Sequence, residues 1–194
     1  YGLDADRTVA ALESEGPLAW GVATVDEGRR LRAIGVTRPI LVVTPLPPGS
    51  YPDAVEADLT VCLSSLDALD RLDEAVARLG RPATFHVEVD TGMGRAGFDW
   101  RQSDRWGPVV AGRHRAELRW TGCYTHFHSA DDDPPSVDVQ WRRLVDVLST
   151  VAHPSADFLV HAQNSAGAFR GGRLGSGGIR AGAIRPGIYL YGGS

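Results

Sequence analysis

The residues of this sequence with the chemistry to build a site fall into four short blocks. Asp90-Thr91-Gly92-Met93-Gly94-Arg95 places a carboxylate, a hydroxyl and a guanidinium within one hexapeptide. Thr125-His126-Phe127-His128 holds two imidazoles at i and i+2, which on a strand would share one face. His161-Ala162-Gln163-Asn164-Ser165 ends in an amide and a hydroxyl, and Arg185-Pro186-Gly187 brings a second guanidinium. Taken one at a time, these residues have plain alternatives. A lone arginine is most often a surface ion-pair partner, an Asn-Ser pair a helix cap, and a lone histidine a hydrogen-bonded core residue. The His126-x-His128 pair is also a metal-site pattern, and Asp131 or Asp90 could complete a ligand set for a barrel hydrolase. Such hydrolases carry the pair early in the chain, whereas here it is late. One chemistry is missing from the sequence itself. All 20 basic side chains are arginine, so no amine is present to form a Schiff base.

Each block closes a short apolar run, and those runs imply the architecture. Strand-like runs cover 18–23, 40–44, 59–63, 84–89, 118–127, 158–162 and 184–191. Between them lie helical patterns at 4–15, 26–34, 66–79, 104–112 and 137–151, and 164–169 reads as a helical turn. Ser64 or Ser65 caps the third of these helices, and Gly80 stops it. The glycine-rich stretch 171–182 reads as an exposed connection. About seven strands alternating with helices is the pattern of a parallel α/β fold. In a (β/α) barrel the C-terminal ends of the strands converge on one face, which would bring all four blocks around one ligand. A complete barrel of this type typically needs about 250 residues and eight strands. The sequence opens on Tyr1 and runs straight into a helix, as though cut just after a strand.

Composition narrows the function classes. Net charge is -4 and the arginines are scattered, so no nucleic-acid footprint or membrane-binding basic stripe stands out. No apolar run approaches the ~20 residues of a membrane helix, and Tyr1-Gly2-Leu3-Asp4 does not read as the start of a secretion signal. Cys62 and Cys123 sit inside apolar runs and read as buried thiols, which implies a cytoplasmic setting.

Together the blocks resemble a known family. Residues 90–98 (Asp-Thr-Gly-Met-Gly-Arg-Ala-Gly-Phe) resemble the signature stretch of alanine racemases. The segments 121–127, 161–166 and 185–192 are similar to three further blocks of that family, in the same order and spacing, and Tyr1-Gly2-Leu3 is similar to the tail of the block bearing its cofactor lysine. The resemblance spans nearly the whole chain. It implies that residues 1–194 form the pyridoxal 5'-phosphate-binding domain. The fold implied is a (β/α)8 TIM-type barrel of parallel strands whose first strand lies outside this chain, with the family's C-terminal β domain absent as well. The function implied is the interconversion of L- and D-alanine, supplying D-alanine for peptidoglycan, in a head-to-tail homodimer whose partner contributes a tyrosine. The Schiff-base lysine would lie four residues before Tyr1, so these residues alone would be inactive.

The resemblance also assigns roles. Arg95 and His126 are the candidate catalytic residues. Arg95 is similar to the arginine that meets the cofactor's phenolic oxygen and the substrate carboxylate, for which a planar fork of donors is suited. His126 is similar to the histidine linking the pyridine-facing arginine to the partner's tyrosine, lowering the pKa of that base. Arg185 resembles the pyridine-facing arginine itself, whose permanent charge would leave the ring nitrogen unprotonated and weaken the electron sink. Ser165, Gly187 and Ile188 resemble phosphate contacts, as does Tyr1, and Asn164 flanks them; phosphate sites after the last two strands recur in such barrels. The resemblance implies no metal. Two positions depart from the family. Glu88 stands where many members carry a carbamylated lysine and could supply that negative charge to Arg95 directly. His128 replaces a small residue. A serine or broad-spectrum racemase and a non-catalytic pyridoxal-phosphate barrel remain open.

Overall fold

A computed structural model describes residues 4–154, 157–169, 174–176 and 178–193. Helix α1 (Ala5–Leu12) precedes β1 (Trp20–Val22), and α2 (Val25–Ala33) follows. Thr24 and Glu27 form a capping box at the start of α2, each side chain taking a backbone N–H of the other's segment. Next come β2 (Ile40–Val42), α3 (Tyr51–Glu56), β3 (Thr60–Leu63) and α4 (Leu66–Leu79). The sequence pattern passes over α3 because prolines crowd it, yet Pro52 falls in its first turn, where a missing N–H costs nothing. Helix α4 is the plainest amphipathic element. Ser65 accepts from Ala68 N, Gly80 closes the helix at φ 61°, and Ala68, Leu69, Leu72, Ala75 and Val76 form the buried stripe.

The longest strand, β4 (Ala83–Asp90), leads through the Asp90–Gly97 loop to the two-residue β5 (Phe98–Asp99) and then α5 (Ser103–Arg113). Strand β6 (Leu118–Tyr124), α6 (Pro134–Thr150), β7 (Leu159–Gln163) and α7 (Ser165–Phe169) continue the alternation. A small antiparallel hairpin, β8 (Gly175–Ser176) with β9 (Ile179–Arg180), occupies part of the glycine-rich stretch expected as an open connection. Strand β10 (Ala183–Ile184) closes the series, followed by a 3-10 turn at Ile188–Tyr191. Two expected strands stop well before their predicted ends. The run 118–127 is strand only to Tyr124, and 184–191 is strand only to Ile184, where Pro186 has no N–H for a ladder.

Seven parallel strands pair in the order β1-β2-β3-β4-β6-β7-β10, with β5 attached to β4. The sheet curls: the Tyr124 hydroxyl on β6 donates to Val43 O just past β2, across two intervening strands, at 3.4 Å. Alternation divides the side chains. Ile40, Val42, Val61, Leu63, Phe85 and Val87 join the large core between sheet and helices. Leu41, Cys62 and Tyr124 form a small separate cluster on the inner face. Burial on both faces is what lets β2 and β3 read as unbroken apolar runs. Both cysteines are buried free thiols, as expected. This is the arrangement of a TIM-type barrel wall that stops, among the described residues, with β1 and β10 as its two ends. Helix α1 reaches across between them, where Thr8 Oγ1 and Tyr191 Oη meet at 3.3 Å. Among the described residues no helix is long and apolar enough to cross a membrane.

Candidate active site

The C-terminal ends of β4, β6, β7 and β10 open into one cavity of about 2150 Å³, which Glu88, Arg95, His126, Asn164, Ser165, Arg185, Gly187 and Ile188 all line. Tyr1, expected at the same place, lies outside the described residues. The cavity exceeds what a small ligand needs because it runs on past α1 and β1.

Arg185 is held from three sides. One terminal N–H donates to His161 Nδ1 at 2.7 Å, and the other nitrogen donates to Thr125 O at 2.9 Å and Ala162 O at 3.2 Å. Its guanidinium carbon lies 4.9 Å from the centre of the Tyr124 ring. Burial lowers its pKa from the usual 12.5, with the Tyr124, Cys62 and Glu88 groups opposing; it remains a cation. Among the described residues it forms no ion pair, so the plain surface-salt-bridge alternative does not apply.

Arg95 is exposed, lines the cavity and makes no ion pair among the described residues. The loop beneath it is tightly built. Asp90 Oδ1 accepts from Gly92 N at 2.9 Å and from Gly94 N at 3.1 Å. Arg143 NH1 donates to Thr91 O at 2.6 Å, and Thr91 and Thr125 hydroxyls meet at 2.6 Å. Gln140 on α6, only 1% exposed, joins the two loops: its Nε2 donates to Thr91 Oγ1 and His126 O, and its Oε1 accepts from His128 N. Glu88 is buried, and that burial raises its pKa against the nearby Tyr124 hydroxyl and the Arg95 and Arg185 charges. Arg95 acts on it through space, and no ion pair joins the two among the described residues.

His126 is half-buried, and burial together with the Arg185 and Arg95 charges lowers its pKa to about 4. It is a neutral imidazole at pH 7, beside two cations. His128 is exposed and bonds Ser129 Oγ at 2.7 Å. Since β6 ends at Tyr124, the strand rule that would align the two rings does not hold here. No group of three or more His, Cys, Asp or Glu among the described residues could hold a metal ion.

Ser165 Oγ accepts from Gly187 N at 2.8 Å, which joins the start of α7 to the start of the Ile188–Tyr191 turn. Having accepted there, the hydroxyl keeps its own proton to donate. Asn164 behaves as the helix cap: its Oδ1 takes Gly167 N at 2.9 Å while its Nδ2 reaches Phe127 O at 3.2 Å. Sequence reasoning missed His86 and Gln140, and saw Tyr124, Thr125 and His161 only as parts of blocks. Buried polar residues in otherwise apolar runs were the available signal.

Three of the buried or half-buried histidines imply acid sensitivity. His86 and His126 fall to about 4 and His161 well below 6.5, all first through burial. The unfolded chain then binds more protons than the folded one below pH 6.5, so this contribution is complete above 6.5 and is lost as pH falls toward 4. For His86 alone, 6.5 less about 4 at about 1.36 kcal/mol per pH unit is on the order of 3 kcal/mol. Glu88, raised, works in the opposite sense. The urea midpoint of the full-length protein should therefore start falling just below pH 6.5, ahead of carboxylate titration; a flat midpoint from pH 7 to 5 would contradict these burials.

Comparison with known proteins gives the family of this chain. The family model described as alanine racemase, N-terminal domain, matches residues 1–194. The alanine racemase of Geobacter sulfurreducens is 35% identical over 93% of this chain and 47% of its own length. The alanine racemase of Clostridium difficile in complex with cycloserine superposes with a TM-score of 0.82 at 26% identity, over 98% of this chain and 51% of that one. A histidine racemase of Leuconostoc mesenteroides shares the fold, with a TM-score of 0.80 at 24% identity. The chain spans about half the length of the curated relatives it matches.

Proposed function

The chain belongs to the alanine racemase family through its N-terminal domain, and from that premise we propose that residues 1–194 serve as the cofactor-binding barrel of an enzyme interconverting L- and D-alanine. The observation that supports this best is Arg185, a half-buried cation with no ion pair among the described residues, held by His161, Thr125 O and Ala162 O in one cavity with Arg95, His126 and Ser165.

The donor set fits pyridoxal 5'-phosphate. The Ser165 hydroxyl and the Ile188 amide, brought together by the Gly187 N–H bond to Ser165 Oγ, suit its phosphate. Arg185 suits the ring-nitrogen end, because a guanidinium has no proton to give up at neutral pH. When bound, the cofactor supplies the electron-withdrawing system that makes the α-hydrogen of an amino acid acidic. The chain's own residues do the rest. Arg95, without an ion pair among the described residues, grips the substrate carboxylate with its fork. Arg185, offering only donors, keeps a proton off the ring nitrogen and so limits charge delocalisation, which favours reprotonation at the α-carbon. His126, neutral at Nδ1 or Nε2, links the Arg185 side of the site to a tyrosine of a second copy, and the two nearby cations lower that tyrosine's pKa. The sequence holds no lysine, so the Schiff-base amine comes from outside these residues, and residues 1–194 alone do not turn over. A head-to-tail homodimer in the cytoplasm, supplying D-alanine for peptidoglycan, completes the proposal. The histidine racemase likeness concerns the fold alone, so a serine-directed or broader racemase stays as the second reading.

An absorbance spectrum of the full-length protein, with and without borohydride, tests this. The expected result is a band near the visible edge that borohydride bleaches, fixing the cofactor to a lysine, together with racemisation of L-alanine. No such band after added pyridoxal phosphate would remove the proposal. A band without racemisation would leave a cofactor-binding barrel only.

A further inference from the structure

Behind Arg185, inside the sheet, lies a row of rings to which the proposed mechanism gives no role. His161 on β7 and His86 on β4 are 1% and 4% exposed. His161 Nδ1 faces Arg185 NH1 at 2.7 Å, and His161 Nε2 faces His86 Nδ1 at 2.9 Å. The His161 ring also stacks on Tyr124, with centroids 4.8 Å apart and planes 10° from parallel.

The hydrogen-bond roles along this row follow from one fact. A guanidinium has five donors and no acceptor. His161 Nδ1 must therefore accept from Arg185, which places the proton of a neutral His161 on Nε2. That N–H points at His86 Nδ1, which must accept in turn, so the proton of His86 lies on its own Nε2. A permanent donor at one end thus sets both tautomers. A doubly protonated His161 would set N–H against N–H beside a fixed charge, and burial with the Arg185 charge disfavours that form for both rings.

We infer that His86 is a positioning residue for the reaction proposed above: by accepting from His161 it fixes the ring that orients the Arg185 guanidinium. Among the described residues three of the five Arg185 donors are engaged, one by His161 and two by backbone carbonyls. The carbonyls restrain only one terminal nitrogen, and the His161 bond restrains the other. Without an acceptor at position 86, the buried His161 N–H has no partner, and its ring leaves the Arg185 plane to find one. The sequence makes room for this arrangement at Gly122. A Cβ there would fall 2.6 Å from His86 Cε1 and 2.7 Å from its Nε2, at the place where the β4–β6 register shifts.

The inference rests on the racemase reading, and its test separates the two. Full-length protein loaded with pyridoxal phosphate and labelled with 15N at histidine should show His86 and His161 both neutral and both protonated at Nε2 at pH 7. This spectrum needs no turnover. A proton at Nδ1 of either ring, or an imidazolium, overturns the inference however active the enzyme is. His86→Leu removes the acceptor at similar bulk, and His86→Asn keeps an acceptor oxygen where Nδ1 was. For the leucine variant kcat should fall about tenfold with KM for alanine within about twofold, the usual scale for one lost buried hydrogen bond. The asparagine variant should recover most of that loss, as packing alone would not. Equal kcat in all three proteins, or equal loss in both variants, overturns the positioning role. Both Nε2 protons present without any racemisation would remove the proposed reaction and confirm the tautomer row.

Discussion

Full-length protein carrying Arg185→Leu is expected to lose at least about 100-fold in alanine racemisation, the scale seen when one preorganised donor is taken from a site. Two effects combine. The cavity loses the cation at its inner end, and His161 Nδ1, Thr125 O and Ala162 O lose the donor they share. Leaving buried acceptors unsatisfied costs about 1–3 kcal/mol each, so the variant should also unfold at lower urea. Arg185→Lys separates the effects. Lysine restores a charge, but its single ammonium cannot span an imidazole and two carbonyls as a planar fork does. It should recover part of the activity and remain at least about tenfold below the parent, within the factors that a 1.4 kcal/mol loss sets. Steady-state kinetics and a urea titration on the three proteins suffice, and activity within threefold of the parent for Arg185→Leu would sink the role given to this residue.

Gly97→Ala should be the most damaging glycine substitution in the loop that presents Arg95. Gly97 has φ 113°, a conformation side chains rarely adopt, and a Cβ there would lie 2.5 Å from Asp90 N and 3.0 Å from Val89 C. Those are backbone atoms of the β4 end, which is paired to β5 through Val89–Phe98 and Asp90–Asp99, so neither side can yield without breaking the pairing. Strain of about 1–2 kcal/mol and overpacking of about 1–3 kcal/mol add to roughly 3 kcal/mol. Because the loop must shift, KM for alanine should rise by about an order of magnitude. Gly94→Ala is the control. Its φ is 70° with nothing within 4 Å of the added Cβ, so only the strain applies. If the two variants unfold at the same denaturant concentration, the close approach at position 97 is not what holds the loop.

What could be read from the sequence was mostly local in origin. Helix α4 follows from its Ser65 cap, its apolar period and Gly80, and the structure ends it where that pattern does. The four blocks at strand ends were legible because parallel barrels put chemistry there, and one cavity indeed collects them. The misreadings have local causes too. Hydrophobic residues after Pro186 look like strand but coil into a 3-10 turn, since the proline stops the ladder. What stayed hidden depends on register. His86 and His161 stand 75 positions apart, and nothing in either neighbourhood announces a bond between them. Gln140 looks like one more polar residue on a helix until the curl of the sheet carries α6 over both loops. Glu88, read as a partner for Arg95, feels that charge and also Tyr124 and Arg185, which come near it only through the register of the sheet.

Gln140 has a consequence for anyone reshaping this barrel. Its one amide group meets Thr91, the His126 carbonyl and the His128 amide, so the loop bearing Arg95 and the loop bearing His126 are not interchangeable parts. A loop grafted from a related enzyme to alter substrate preference would arrive without the helix that fastens it. Recombination that moves 90–97 or 125–129 alone cuts through that fastening, whereas a segment swapped from β4 through α6 carries it along intact.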